Sequence, residues 1–364
     1  MAEEKIHDSK IMIFTGAGAS AALDMPTTAQ FIEKLNSRWK NLKSILSIYQ
    51  EHHKLSQVST NKKNPIDSEY LRDWLFELKK SGKSIQDLSQ FQPINTNIGV
   101  ITNAVPFVDS LIKDFDLFTR GCYTEIDPNK AFRHYEPLLQ WLEQGQFSYV
   151  PIFTTNYDLV FESLKDCPEC RWHIETGAKQ GGTRVSLDFK QYDQLSTNKN
   201  TITVYKLHGS TDWWLNQKNG QIIQVPVDNT PPPNCRDLMI YPTRSKFEQI
   251  KEKPFAFYYG RLNSYLSSQV TKICIVIGYS FRDQFINEEF AIAIKNGLSL
   301  IVIDKNMKKQ QLEDEFMRYK LENYIFDNVK IINLGFGDWS LKPPLSEVFK
   351  NELTKAIKSL NTNI

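Results

Sequence analysis

The sequence has no excess of charge of one sign and no long apolar run. Its 44 Lys and Arg residues nearly balance 42 Asp and Glu residues, for a formal net charge of +2, so nothing global predicts binding to nucleic acid or to an anionic membrane. No run of about 18 apolar residues occurs, and the amino-terminal residues lack the basic and apolar parts of a signal peptide. We therefore expect a cytoplasmic globular protein.

Cysteine is also scarce, with five residues in a chain of 364. An odd and low number argues against a disulfide framework and for reduced thiols. Cys167 and Cys170 form one CxxC pair, with His173 nearby. Cys235 lies far downstream, so four ligands at finger-like spacing are absent. We expect no metal site, with residual zinc binding at the CxxC pair as the alternative.

Six short apolar segments predict the strands of one buried sheet. Each is a nearly continuous β-branched or aromatic run, which is typical of parallel strands covered on both faces. The segments are residues 11–15, 150–154, 202–206, 273–277, 300–303 and 329–333. We predict an α/β fold, a Rossmann-like doubly wound parallel sheet of about six strands with a helical insertion.

The domain organisation follows from the spacing of these strands. Residues 37–145 have helical periodicity and no convincing strand, so we predict a helical insertion there. The α/β domain is then residues 1–36 and 146–345, followed by a C-terminal helix at 346–364. Within it, residues 160–260 are rich in loop signals and predict connections and small elements.

The first predicted strand runs directly into the segment Gly16-Ala-Gly-Ala-Ser20. Gly16, Gly18 and Ala21 fit the loose pattern G-x-G-x-x-A, in which the backbone approaches a phosphate closely. The segment lacks the Gly-Lys-Ser/Thr ending of a P-loop, and no strand ending in Asp or Glu follows about 20 residues later. A standard hydride-transfer enzyme is therefore disfavoured. A tight turn that binds no ligand is the plain alternative.

Polar segments follow the next four predicted strands, where open parallel sheets bind their ligands. They are Thr154–Asp158, Lys206–Ser210, Gly278–Asp283 and Asp304–Asn306. Each has a purely structural alternative: caps or turns for Asn156, Asp158, Ser280 with Asp283, and Asp304, and a buried structural role for His208. Their joint occurrence after successive strands favours a site for a nucleotide.

The motifs GAGAS, TTNYD, KLHGS, GYSFRD and VIDKN, in this order, resemble the sirtuin-like NAD-binding domain family, and especially its divergent bacterial branch associated with anti-phage defence. The resemblance covers residues 10–35 and about 148–340. It implies NAD+ as the substrate and cleavage of the nicotinamide–ribose bond as the reaction.

The resemblance also implies roles for individual residues. Asn156 and Asp158 match the pair around the nicotinamide ribose, and His208 matches a catalytic histidine suited to act as a general base. The implied catalytic residues are Asn156, His208 and Asp158. The implied nucleotide-binding residues are Gly16, Ala17, Gly18, Ser20, Thr155, Gly278, Ser280 and Asp304, the last at the adenosine ribose.

Two departures from the family pattern argue against a protein deacylase. The loop LDMPTTAQF lacks Asp-Phe-Arg after its proline, and the two CxxC pairs of a zinc ribbon are missing. An acyl-lysine peptide then loses part of its cleft, so water is the favoured acceptor. We interpret the chain as an NAD+ glycohydrolase that releases nicotinamide and ADP-ribose. The alternatives are a protein deacylase or ADP-ribosyltransferase, and an NAD+- or ADP-ribose-binding scaffold or sensor without turnover.

The implied activity requires a gate, because unregulated NAD+ hydrolysis would kill the host cell. The resemblance implies an effector of abortive infection, present as a homo-oligomer with an activating partner such as a HerA-type ATPase or a short Argonaute. Contact with nucleic acid would then be indirect, and no membrane contact is expected. The apolar stripe with Trp39 and Trp74 predicts core packing of a helical cap over the nucleotide site, with an oligomer or partner surface as the alternative.

Overall fold

The computed structural model describes residues 8–26, 28–38, 71–72, 74–76, 79, 104–123, 126–181, 184–193, 200–225, 233–241, 249–319, 327–338 and 344–360. These residues fall into two compact units. The first lies within Met1–Met25, Tyr123–Met239 and Ile250–Ile364, and the second within Pro26–Cys122 and Ile240–Gln249. The domain boundaries predicted from the sequence stay a prediction, and Trp39 lies outside the described residues.

The described strands and helices alternate regularly from Phe255 onward, whereas most described elements between residues 173 and 239 are strands. The strands are β1 Ile11–Thr15, β2 Tyr149–Thr154, β3 His173–Glu175, β4 Ala178–Gly181, β5 Arg184–Leu187, β6 Thr201–Lys206, β7 Gly209–Asn216, β8 Ile222–Gln224, β9 Cys235–Met239, β10 Ile273–Ile277, β11 Ser299–Ile303 and β12 Val329–Ile332. The helices are α1 Thr28–Arg38, α2 Ala104–Cys122, α3 Pro128–Gln144, α4 Val160–Leu164, α5 Phe255–Leu266, α6 Gln284–Lys295, α7 Lys309–Met317 and α8 Pro344–Ser359. In this part of the chain, no helix combines the length and apolar character that crossing a membrane requires.

A parallel sheet of seven strands forms the centre of the first unit, in the order β12-β11-β10-β1-β2-β6-β3. The α/β prediction is confirmed, and each of the six predicted segments forms a strand within one residue of its predicted bounds. The seventh strand, β3, has three residues and mixed polarity, too short a pattern to identify from sequence.

Helices α3 and α8 share the hydrophobic core of this sheet. Tyr135 and Leu138 of α3 and Phe349 of α8 are buried in the same cluster as the sheet's isoleucines and valines. The Trp141 indole N–H donates to Thr354 Oγ1 at 3.1 Å and links the two helices. Apolar faces on both sides of the strands explain why those segments are continuously hydrophobic.

A second sheet of five antiparallel strands, in the order β4-β5-β8-β7-β9, lies in the region predicted to hold connections and small elements. The sequence did not reveal that these elements form a sheet, because the strands are short and carry mixed polarity that cross-strand pairing stabilises. The chain passes from β6 into β7 through Leu207 and His208. Gly209 follows with φ of +84°, and a Cβ there would lie 2.2 Å from the Leu238 carbonyl oxygen.

Most described residues of the second unit lie in helices, in agreement with the predicted helical insertion. Phe31 of α1 packs against Phe115 and Phe118 of α2, with ring centroids 5.3 and 5.1 Å apart. The Arg72 guanidinium lies 3.8 Å from the centroid of the Tyr241 ring and pairs with Asp116 at 2.9 Å.

Candidate functional site

The glycine loop, residues 16–20, leaves β1 and packs directly against the loop that leaves β10. The Gly16 N–H donates to Ile277 O at 3.0 Å, and the Gly18 N–H donates to Gly278 O at 2.8 Å. A Cβ at Gly18 would lie 2.8 Å from Gly278 Cα, and one at Gly278, whose φ is +59°, would lie 2.2 Å from Ala19 N. The glycines are therefore required by the close approach of two backbone segments.

The loop's own hydrogen bonds fix its shape. The Ala19 and Ser20 N–H groups donate to the carbonyls of Gly16 and Ala17 at 2.9 and 3.3 Å, which closes the short 3₁₀ turn Ala17–Ala19. Together with Gly16 and Gly18, four N–H groups of the loop donate to protein carbonyls. The sequence suggested N–H groups presented to a phosphate, but in the structure most of them serve to hold the loop.

A buried histidine also holds this loop from helix α3. His134 Nε2 lies 2.6 Å from Ala19 O, and the ring packs edge-on against Tyr135 and Phe336. Burial lowers the pKa of His134 to about 4, so the ring is neutral near pH 7 and Nε2–H donates to the carbonyl. No sequence pattern identified this residue.

Asn156 joins the β2 end to the glycine loop. Its Nδ2 donates to Gly16 O at 3.0 Å and to Ser20 Oγ at 3.2 Å. Ser20 is buried and is in turn hydrogen-bonded to the Asp158 carboxylate. Ser20, predicted to face a pyrophosphate, thus lies between two residues predicted to be catalytic, and the three form one network.

Asp158 is buried at the edge of this network. Burial raises the pKa of its carboxyl, opposed first by the Lys206 ammonium and then by the hydrogen bonds from Ser20 and the Val160 N–H. Asp158 Oδ1 accepts from the Val160 N–H at 3.3 Å. Asp158 thus forms an i to i+2 hydrogen bond just before α4, whose N-cap is Leu159, and Asn156 contacts the glycine loop. Neither residue is the N-cap of α4.

A cluster of buried charges, which we call the Lys206 cluster, lies at the β6 end next to Asp158. Lys206 is 1% exposed and its Nζ donates to the Asp158 carbonyl, to Glu162 Oε1 at 3.1 Å and to Ser210 Oγ at 2.9 Å. Burial and the nearby Glu162 carboxylate raise the pKa of Asp212 to about 6. One ammonium here lies near three carboxyl groups, so repulsion between the carboxylates favours the protonated form of at least one of them.

His208 lies in the turn that joins the two sheets. Its Nε2 is 3.4 Å from Asp283 Oδ2, and both side chains are more than nine-tenths buried. The Tyr157 ring lies 6.4 Å from the His208 ring, centroid to centroid. Asp283 is the N-cap of α6, where its Oδ1 accepts from Ile286 N at 3.5 Å. The cap is therefore Asp283 and not Ser280, the residue the sequence suggested.

The remaining predicted residues lie at the same sheet edge without joining the Asn156 network. Thr155 donates through its N–H to Thr15 O at 3.1 Å. Ser280 is exposed. Asp304, at the β11 end, accepts from the Asn306 N–H at 2.8 Å in an Asx turn.

The CxxC thiols have partners close to them in sequence, Glu169 for Cys167 and the Trp172 carbonyl for Cys170. Cys167 Sγ donates to Glu169 Oε2 at 3.0 Å, and burial raises the pKa values of both Cys167 and Cys170. Among the residues that the structure describes, no group of three or more His, Cys, Asp or Glu side chains could hold a metal ion.

Several residues with evident structural importance were missed from sequence. Lys206 ends a strand that is otherwise uncharged, and a lone charge at that position was an available signal for burial with a partner. Asp283 lay within the polar segment Gly278–Asp283, but its only individual role considered was in a helix cap. Glu162 and Asp212 carried no signal, because only the fold brings them to Lys206.

Residues 150–324 match the family model of the SIR2-like domain. The SIR2-like segment contains the loops after β2, β6, β10 and β11, whereas the glycine loop precedes it. The sequence resemblance is thus confirmed for this segment, at the level of a sirtuin-like domain. No curated protein matches the chain in sequence.

Two solved structures illustrate the similarity of fold. A point mutant of a Sir2 homologue in complex with ADP ribose is 13% identical, with a TM-score of 0.46, over 97% of this chain and 94% of that chain. A Sir2 homologue–NAD complex is 13% identical, with a TM-score of 0.43, over 96% and 90%. At such values these similarities decide nothing about the ligand of this chain.

Proposed function

We propose that the chain is an NAD+ glycohydrolase that cleaves the nicotinamide–ribose bond and releases nicotinamide and ADP-ribose. The observation that carries this proposal is the contact network at the ends of β1, β2, β6 and β10. Asn156 binds the glycine loop, Gly18 binds Gly278, and His208 meets Asp283. Motifs far apart in sequence thus form one polar edge, where a parallel sheet binds its ligand.

The SIR2-like match over residues 150–324 supports NAD+ as the ligand. The residues fit this ligand. The glycine loop is uncharged and has no side chain to obstruct a pyrophosphate at Gly16 or Gly18, while the carboxyl groups lie at the β2–β6 end.

The chemistry of the nicotinamide–ribose bond matches this separation of an uncharged glycine loop from the carboxyl groups. Nicotinamide leaves as a neutral molecule, so positive charge develops on the ribose and the site must stabilise a cation and position water. We assign the Asn156 amide to orienting the ribose and water, and His208 to accepting the proton when water or a ribose hydroxyl reacts. The balance is NAD+ and water to nicotinamide, ADP-ribose and one proton.

We further propose that the activity is gated and serves anti-phage defence by depleting NAD+. This follows the family resemblance and the need to protect the host cell. Homo-oligomerisation and an activating partner such as a HerA-type ATPase or a short Argonaute are the forms of gating we propose. Contact with nucleic acid would occur through that partner.

The test is release of nicotinamide and ADP-ribose from NAD+ by the purified chain, alone and with its co-purifying partner. We expect Asn156→Ala and His208→Ala each to lower release by on the order of 10²-fold or more. Asn263→Ala and His173→Ala are matched controls, because Asn263 is exposed and bonded to Glu289 and the His173 side chain is 41% exposed.

The same assay separates the alternatives. Turnover that requires an acetyl-lysine peptide would indicate a deacylase. NAD+ that binds without release in every mixture would contradict the hydrolase and indicate a scaffold or sensor. Unchanged release in both site variants would show that the reaction occurs elsewhere.

A further inference from the structure

The contact between His208 and Asp283 joins two strand ends that are not neighbours. In the sheet order, β1 and β2 lie between β10 and β6. With strands about 4.8 Å apart, the ends of β10 and β6 are separated by about 14 Å. The loop that leaves β10 therefore crosses towards β6. It passes Gly16, where a Cβ would lie 2.7 Å from Tyr279 Cα, and brings Asp283 within 3.4 Å of His208.

This crossing loop is held in a defined shape. Gly278 and Phe281 both have positive φ values, +59° and +53°. The Asn287 amide donates to Phe281 O at 2.8 Å, and the Tyr279 hydroxyl donates to Asn287 Oδ1 at 3.2 Å. A non-glycine residue in the left-handed region is unfavourable and persists only where its surroundings impose it. The position of Asp283 is thus built into the loop.

Helix capping does not account for the whole Asp283 carboxylate. Its Oδ1 serves the cap of α6 by accepting from Ile286 N, whereas its Oδ2 faces His208 Nε2. Asp127 is the N-cap of α3 and accepts from Asn129 N at 2.9 Å, and it performs this structural task while exposed to solvent. Burial of the Asp283 carboxylate against an imidazole goes beyond what a cap requires.

We propose that Asp283 is the positioning residue of His208, holding the ring so that Nε2 carries the proton and Nδ1 accepts one from water or a ribose hydroxyl. A carboxylate beside one ring nitrogen selects the tautomer with hydrogen on that nitrogen and orients the ring. It also stabilises the imidazolium that forms when Nδ1 accepts a proton. The catalytic meaning of this arrangement rests on the proposed function, but the tautomer does not.

The first test is the ring ¹⁵N NMR spectrum of the full chain labelled in its six histidines, recorded at about pH 9, where an ordinary histidine is neutral. The His208 signal is assigned by its loss in His208→Gln. We expect the Nε2–H tautomer in the wild type and a loss of that preference in Asp283→Ser. An Nδ1–H tautomer in the wild type overturns the proposal, whatever the variants do.

The second test is NAD+ hydrolysis by Asp283→Asn and Asp283→Ser, two residues that cap helices as well as Asp does. We expect kcat to fall by on the order of 10²-fold with KM changed less than about threefold. Asp127→Asn and Asp127→Ser are the matched caps and should leave both constants unchanged. Thermal melting of all four variants reports any loss of folding.

The outcomes separate the two proposals. Full activity and an unchanged tautomer in folded Asp283 variants would reduce Asp283 to a cap and overturn this inference. A wild-type chain that releases no nicotinamide but shows an Asp283-dependent tautomer would sustain the positioning contact and overturn the proposed reaction.

Discussion

The β1–β10 end of the candidate site is held by backbone hydrogen bonds and closely packed glycines, whereas the β2–β6 end is held by buried charges. At the first end, Gly18 and Gly278 bring two main chains together without any ionised group. At the second, Lys206 is surrounded by Asp158, Glu162 and Asp212. A neutral end suits an anionic pyrophosphate, and an end rich in carboxyl groups suits developing positive charge. The difference also predicts that mutations act on the two ends by different physical mechanisms.

The largest expected effect is at the charged end. Lys206→Met removes the ammonium that pairs with Glu162 and leaves buried carboxyl groups uncompensated, so we expect the free energy of unfolding to fall by about 3–5 kcal/mol. Lys305→Met is the control, because the Lys305 side chain is 67% exposed in its pair with Asp338 and should cost at most about 1 kcal/mol. Urea unfolding of both variants measures the difference. Equal losses would show that burial of Lys206 has no special energetic role.

The pH dependence of stability gives the second test of the charged end. Because folding raises the Asp212 pKa from 3.8 to about 6, the folded chain binds that proton more tightly. Its stabilising contribution is complete below pH 3.8 and is lost as the pH rises through about 6. The free energy of unfolding of Asp212→Asn, taken relative to that of the wild type, should therefore rise by on the order of 2 kcal/mol as the pH is raised from about 4.5 to about 7.5. Urea unfolding measures this change.

Asp188→Asn provides a control of opposite sign. The Lys190 backbone N–H and the Lys179 ammonium lower the pKa of Asp188, so its contribution is present at neutral pH and is lost as the pH falls below its unfolded pKa. This variant should lose stability relative to the wild type as the pH rises. Parallel pH trends in the two variants would contradict the assignment of a buried, destabilised carboxyl to Asp212.

At the neutral end the expected effect is smaller and independent of pH. Gly278→Ala introduces a Cβ 2.2 Å from Ala19 N at a φ of +59°, so we expect a loss of about 2 kcal/mol and weakened NAD+ binding. Gly260→Ala is the control: nothing lies within 4 Å of its Cβ position in α5, and Ala should stabilise that helix by about 0.5–1 kcal/mol. Thermal unfolding and NAD+ titration measure both. If Gly278→Ala behaves like Gly260→Ala, the close approach of the two loops is not required.

The smallest effect on stability is expected at Asp304, beyond the neutral end. Asp304→Ala removes one exposed Asx-turn hydrogen bond and should change stability by at most about 0.5 kcal/mol. If Asp304 holds the adenosine ribose, NAD+ binding should weaken by about tenfold. Asn219→Ala removes an equivalent turn bond, to Gln221 N at 3.0 Å, and should not alter binding. Unchanged NAD+ affinity in Asp304→Ala would show that Asp304 does not bind NAD+ and serves only to form its turn.

The fold could be predicted where the sequence pattern is local and continuous. Segments such as Ile273–Ile277 are buried on both faces, so every residue carries the same apolar signal and the strand is visible without its neighbours. The antiparallel strand Cys235–Met239 mixes charged and apolar residues, and its pairing with β7 includes an irregular register. Its strand character depends on a partner remote in the chain, so the local pattern did not reveal it.

The candidate site divides in the same way. The sequence by itself determined which motifs follow the strands, because strand ends are marked by the change from apolar to polar residues at Asn156, His208 and Asp304. Only the tertiary structure decided which side chains meet. It places Ser20 between Asn156 and Asp158. It also places Lys206 among carboxyl groups and Asp283 against His208. The physical reason is that strand order and loop crossing depend on long-range packing of the whole sheet. No window of sequence contains both partners of such a contact.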